Sequence, residues 1–305
     1  MNIKKGFSLI EIIIFCFIAI TLFTLFAGLV FNSRDFARTM GCVNNMKNLA
    51  QAIENFQADF KMTPVSIGDL YPQYVTNKEI LKCPADRTAD SNSYDKYYIG
   101  RFIASARADN VFLVCPRHNR RNKTVAAYLS YAVEVGKNKK VSWSGIPAEY
   151  GGVYTTGSLS FADGTTVQIN SGQVGLVSSF TDSAERMYSI IYTPEATEGL
   201  ITVDHSGDSK FEVITPAVIA GVEGTKFTVR NLVDTAKLLL SSDVNVQEGT
   251  VYVEDRSKDA TEITVTPKTI QPAVAVNVPA ETLNLPPGLA KQVPRKPVPW
   301  GWKKK

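Results

Sequence analysis

Histidine is nearly absent from this sequence: His118 and His205 are the only two in 305 residues. They stand far apart, His118 in a basic stretch with Arg117, Arg120, Arg121 and Lys123, and His205 between Asp204 and Ser206. A Ser-His-Asp arrangement can be drawn on paper, but no serine occupies the strained elbow such a nucleophile needs. Gly221-Val222-Glu223-Gly224-Thr225-Lys226 departs in spacing and order from a phosphate-binding loop. No enzyme site is therefore expected. The chain also lacks a large basic face with interleaved aromatics. Its net charge of +4 owes much to Lys4 and Lys5 at one end and to Arg295, Lys296, Lys303, Lys304 and Lys305 at the other. That argues against nucleic acid as a partner.

Cysteine is sparse too, with four in all. Cys16 lies in an apolar run and Cys42 just past it, where a thiol most often acts as a small hydrophobe. Cys83 and Cys115 sit in polar sequence, each followed by a proline. In an oxidising compartment they can pair, and a Cys83–Cys115 disulfide is the expectation. Zinc is the rival, since Cys115-Pro116-Arg117-His118 offers two ligands, with free thiols as the third outcome. A tight second ligand pair is missing, so no metal or cofactor is expected.

What is present is one long hydrophobic run. Phe7 to Phe31 carries a single charge, Glu11, and is long enough to cross a bilayer as a helix. It exceeds a usual signal-peptide core, and no clear small-x-small cleavage site follows it. An ordinary anchor does not account for Glu11, because a charge at the bilayer centre costs about 2.5–3.5 kcal/mol on insertion scales.

Lys4-Lys5-Gly6-Phe7-Ser8-Leu9-Ile10-Glu11 resembles the leader of type IV prepilins and type II secretion pseudopilins. The resemblance implies cleavage by a prepilin peptidase after Gly6, N-methylation of Phe7, and a role in assembly for Glu11. The new ammonium would lie about 6 Å along the helix axis from the Glu11 carboxylate. In a staggered bundle a neighbour's amine can neutralise that carboxylate. It also implies a cytoplasmic leader, one span of the inner membrane, and a periplasmic or extracellular remainder. Charge counting merely permits this orientation, since Arg34 and Arg38 follow the run closely.

Beyond the run, Phe36, Met40, Val43, Met46, Leu49, Ile53, Phe56 and Phe60 recur every three or four residues, predicting a helix to about residue 61. Gly41 weakens it and marks a place for a bend. Pro64 stops it. Pro64–Val75 and the following Cys83-Pro84-Ala85-Asp86 resemble a loop of G-type major pseudopilins. Phe161-Ala162-Asp163-Gly164 resembles the closing hairpin of their relatives, although the histidine often found ten positions before the aspartate is Val153 here. Asp-Gly suits a tight hairpin, and Asp163 reads as a turn former before a metal ligand.

From about Ser178 short alternating strands follow one another, at 211–214, 227–230, 244–247, 251–254 and 263–266. Thr215–Val229 and Val244–Val253 resemble the signatures of the periplasmic FecR domain, with Glu223 where that family usually has arginine. The signalling role of iron-signalling members is not expected to carry over, and a structural contact module is the simpler reading. Past Pro267 prolines crowd the chain and predict a flexible tail.

The expected organisation is a leader at 1–6, a membrane helix at 7–31, a pilin-like region at 32–177, a FecR-like β domain at 178–266 and a basic tail at 267–305. The expected fold is α+β, a long helix packed on a small antiparallel sheet and followed by a second all-β domain. The expected function is that of a minor or tip subunit in a type II secretion or type IV pilus-like filament. Its partners would be the peptidase, other pilin or pseudopilin subunits, the assembly platform and the membrane. The alternative is a membrane-anchored FecR-like sensing or binding protein that never assembles.

Overall fold

The computed structural model describes residues 9–88, 90–101, 103, 107–118, 122–193, 198–205, 207–234, 239–255, 262–265 and 278–279. Helix α1 runs without interruption from Leu9 to Phe60. Its two halves meet different surroundings. Leu9–Ala27 is apolar and none of it is buried, whereas Cys42, Val43, Met46, Leu49, Ile53 and Phe56 lie in a core. The apolar stripe is buried only from Val43 onward, because Phe36 and Met40 remain exposed. Lys61, with φ of 54°, turns the chain out of the helix three residues before Pro64. Gly41 does not interrupt α1; a Cβ there would meet Pro84 Cγ at 3.2 Å, so its bare backbone lets the Cys83-Pro84 turn approach.

Three short 3-10 turns, at Ile67–Leu70, Lys78–Leu81 and Asp95–Tyr97, carry the chain across the helix to the strands. The strands are β1 (Val111–His118), β2 (Lys123–Tyr128), β3 (Val133–Asn138), β4 (Val141–Trp143), β5 (Ile146–Pro147) and β6 (Val153–Tyr154). Next come β7 (Gly157–Phe161), β8 (Thr166–Ser171), β9 (Val174–Thr181), β10 (Met187–Tyr192), β11 (Gly199–His205) and β12 (Lys210–Ile214). Last are β13 (Val218–Asp234), β14 (Leu239–Asp255), β15 (Glu262–Val265) and β16 (Val278–Pro279).

These strands form one hydrogen-bonded network, in the order β1-β2-β3-β9-β10-β12-β13-β11-β8-β7-β4-β5, with β14 on β13 and β6 on β9. The expected small sheet on a helix, followed by a separate β domain, is therefore overturned. Two features explain why. First, β3 joins β9 through Lys137–Thr181 and Asn138–Phe180, so the strands beside the helix continue into the rest. Second, β1 and β2 are buried on both faces. Leu113, Cys115, Val125 and Ala127 pack toward α1, while Val114, Ala126 and Tyr128 pack with Phe180, Tyr188 and Ile190. Alternate side chains of a strand point to opposite faces, so both faces being apolar leaves neither for solvent.

The hairpin expected at Asp163-Gly164 joins β7 to β8, with Gly164 at φ of 90°. The strands expected at 211–214, 227–230, 244–247 and 251–254 fall within β12, β13 and β14. The β13–β14 pair is longer than its sequence suggested, 17 residues on each side. Its register shifts between Glu223 and Lys226, where Gly224 and Gly249 take φ of 63° and 80°. A Cβ on Gly249 would stand 2.5 Å from the Gly224 carbonyl oxygen, so the close approach at this bulge needs glycine there. Gly221–Lys226, which departs from a phosphate-loop pattern, is thus the bulged middle of a strand.

A candidate metal-binding cluster and an exposed apolar helix

Gly6 and Phe7 lie outside the described residues, as does the tail past Pro267 apart from residues 278–279. Glu11 is placed in the first turn of α1 and is exposed. Around it Leu9, Ile10, Phe15 and Phe17 are each at least 63% exposed, and the same holds for Phe23, Leu25 and Phe26 farther along. Such a continuous apolar surface is long enough to span a bilayer, which is consistent with a single-pass membrane anchor.

Cys83 and Cys115 are not bonded to each other; all four cysteines are free. Instead the two meet Cys42 and His118, and the ligand atoms of these four side chains all lie within 4.8 Å of one another. Three segments supply them: α1 gives Cys42, the turn after Leu81 gives Cys83, and β1 gives Cys115 and His118. The pairing register of β1 shifts between Cys115 and His118. In a regular strand residues three apart point to opposite faces, so this irregularity is what lets both reach one point. The Cys83 turn is held by Asn45 Nδ2 donating to the Lys82 carbonyl at 3.0 Å, and by Ser93 Oγ accepting from the Cys83 N–H at 3.1 Å.

All four groups are buried, His118 at 7% exposure and the cysteines at 1% or less. Burial pushes the Cys42 and Cys115 thiols well above the ordinary range. Hydrogen bonds from Cys115 and then Cys42 hold the Cys83 thiol well below it. Cys83 Sγ lies 3.5 Å from His118 Nε2. A surface cleft lined by Arg38, Arg87, Arg117 and His118 opens beside it. The sequence signal was half visible in Cys115-x-x-His118. Cys42 was hidden because its helical apolar setting reads as packing.

His205 has a different environment. Its Nδ1 lies 2.6 Å from Thr165 Oγ1 and its Nε2 lies 2.7 Å from the Ser209 carbonyl oxygen. The Ser209 hydroxyl donates to Asp163 instead. Asp163 also accepts from the Thr165 N–H at 3.0 Å. The hairpin aspartate thus organises the turn and its neighbour strand, and the serine is not aligned with the histidine.

A second buried polar group joins the helix-side strands to the long strands. Arg101 is 2% exposed, with Nη2 on Glu212 at 2.8 Å, Nε near Glu254 at 2.9 Å, and Nη1 donating to the Val111 carbonyl at 2.8 Å. Burial opposes its charge, but Glu212 and then Glu254 outweigh that and hold the guanidinium above its ordinary pKa.

Comparison with known proteins finds likenesses for two parts of this chain. A family model described as FecR protein matches residues 152–252, beginning upstream of the Ser178 start read from sequence texture. A second model, described as a protein of unknown function (DUF1559), matches residues 32–79. No curated protein matches the chain significantly. Two crystal structures described as a "putative anti-sigma factor" from Parabacteroides distasonis share 16% identity with it. One covers 43% of this chain and 61% of its own length with a TM-score of 0.30; the other covers 47% and 61% with a TM-score of 0.26. The chain is thus similar to FecR proteins over its central strands and to DUF1559 proteins over the helix and the turn that follows.

Proposed function

We propose that this chain is a pilin-like filament subunit, of the minor or tip kind, in a type II secretion or type IV pilus-like assembly, and that its long strands form a FecR-like contact module. The observation that carries this reading is the leader-like segment running directly into a wholly exposed apolar helix whose far half is built into the core. An apolar surface of that extent must be covered by lipid or by like helices. Glu11 favours like helices, since a neighbour's N-terminal ammonium can neutralise it. The DUF1559 match begins just after the apolar run and is consistent with this reading.

The second reading, an anchored sensing or binding protein, is favoured by the FecR match over residues 152–252. Photo-crosslinkers placed along Leu9–Ala27 in cells separate the two. A filament subunit yields a ladder of multimers containing this chain. A lone anchor yields monomer and lipid adducts, and that result would overturn the proposal.

A further inference from the structure

We infer that Cys42, Cys83, Cys115 and His118 bind a zinc ion that fastens helix α1 to strand β1. Three cysteine sulfurs and one imidazole nitrogen are the donor set of closed, four-coordinate structural zinc sites. The spacing fits as well as the composition. Zinc–sulfur bonds of about 2.3 Å and zinc–nitrogen bonds of about 2.0–2.1 Å in a tetrahedron place sulfur about 3.6 Å from nitrogen and about 3.8 Å from sulfur. Cys83 Sγ and His118 Nε2 are 3.5 Å apart, and every pair in the group lies within 4.8 Å.

The histidine is prepared for the role by a residue outside the group. Thr39 Oγ1 donates to the Asp35 carbonyl oxygen at 2.9 Å, one helical turn back. Its proton being committed there, that hydroxyl can only accept from His118 Nδ1, 3.4 Å away. In the neutral ring this puts the proton on Nδ1 and leaves the Nε2 lone pair facing the three sulfurs. Histidine ligands to zinc are fixed in just this manner, by a hydrogen bond at the ring's other nitrogen.

The sulfurs have outer partners too. Tyr94 Oη donates to Cys42 Sγ at 3.3 Å, and the Ala85 N–H donates to Cys83 Sγ at 3.4 Å. Donors aimed at sulfur favour thiolate, the form that ligates metal. Three thiolates with a zinc ion leave one negative charge; Arg38, Arg87 and Arg117 lie around the adjoining cleft, Arg38 near Asp35 of the same lining and Arg117 paired with Asp86.

The rival chemistry is weaker on two counts. Any disulfide uses two of the three sulfurs and strands the third beside a histidine lone pair. A bare Cys83–His118 hydrogen bond leaves Cys42 and Cys115 without a role, although the Tyr94 hydroxyl and the strand irregularity both serve to bring them in. A closed donor set in which all four ligands come from protein assigns the metal to structure rather than catalysis.

The test uses the full chain, extracted in detergent and dialysed free of loose metal. About one zinc per chain should be found by elemental mass spectrometry. Cobalt exchanged into the site should give the intense visible absorption of a tetrahedral thiolate complex. Thiol labelling should reach Cys16 alone until a chelator strips the metal, and then all four cysteines. Cys42→Ser and His118→Ala should each lower zinc content to less than a tenth, while His118→Cys should keep the metal and shift the cobalt bands. Thr39→Val should bind zinc about 10–100-fold more weakly with the four ligands intact. A disulfide between any two of Cys42, Cys83 and Cys115 in the extracted protein would overturn the inference. So would three labelled thiols in a folded chain that takes up no added zinc. Both outcomes are read from the unaltered chain, so a variant that misfolds cannot obscure them, and neither bears on whether the helix assembles into filaments.

Discussion

Arg101 and Glu212, 111 residues apart in sequence, share a buried ion pair of 2.8 Å, and Glu254 approaches the same guanidinium from a third segment. The pair ties the segment before β1 to β12, and Glu254 adds β14. Removing one partner strands the other charges without water, which costs about 3–5 kcal/mol for buried pairs. Arg101→Met should therefore destabilise the detergent-solubilised chain by about that amount in denaturant titration. Adding Glu212→Gln and Glu254→Gln should recover part of the loss. A single variant within 1 kcal/mol of the parent would mean that water reaches the group.

Processing at the N-terminus is directly measurable. In cells that possess a prepilin peptidase, mass spectrometry should find Phe7 as an N-methylated first residue. Gly6→Val should leave the leader attached, because the resemblance places cleavage after that glycine. An intact Met1 in the parent protein would remove the basis for the filament reading.

Glu11 distinguishes a subunit from an anchor. A lone helix gains nothing from a carboxylate in lipid, so Glu11→Leu would leave insertion unchanged or improve it. In a filament the same change should preserve cleavage and insertion while abolishing helix–helix cross-links, with Glu11→Asp intermediate because of its shorter reach. Equal cross-linking by parent and leucine variant at matched expression would favour the anchored reading.

Gly249 offers a test of the long strand pair. Its φ of 80° disfavours a side chain, and an added Cβ would stand only 2.5 Å from the Gly224 carbonyl oxygen. Gly145, at φ of 85° with nothing within 4 Å, is the natural control. Gly145→Ala should cost about 1–3 kcal/mol for the unfavourable backbone alone. Gly249→Ala should cost clearly more, because it also pushes β13 from β14. Equal losses would show that the strand separation yields easily.

Much of this was legible in the residues. The helix could be read from its three-and-four spacing and from Pro64, and the β7–β8 hairpin from Asp163-Gly164. The central strands followed from period-two alternation, although β13 and β14 run on through the glycines at 224 and 249. These signals are local, each spanning a few residues. What escaped depends on distant pairings. Nothing near Lys137 or Thr181 announces that β3 will continue into β9, and so the single network was divided in two. Cys42 gives no sign of its partners because, just past the apolar run, it reads as a small hydrophobe. Cys115 and His118 stand at a spacing that a regular strand would place on opposite faces, so only the irregular pairing of β1 shows them together.

The unbroken helix has a mechanical consequence. At about 1.5 Å per residue, the 52 residues of α1 make a rod about 78 Å long. Thr39, the first buried residue among those described in α1, stands about 45 Å along the rod from Leu9. Because α1 is continuous over this length, a pull on the lower end is carried along the helix to the upper end. There it is resisted by shear across the contacts of Met46, Leu49, Ile53 and Phe56, and the strands move with the rod as one lever arm.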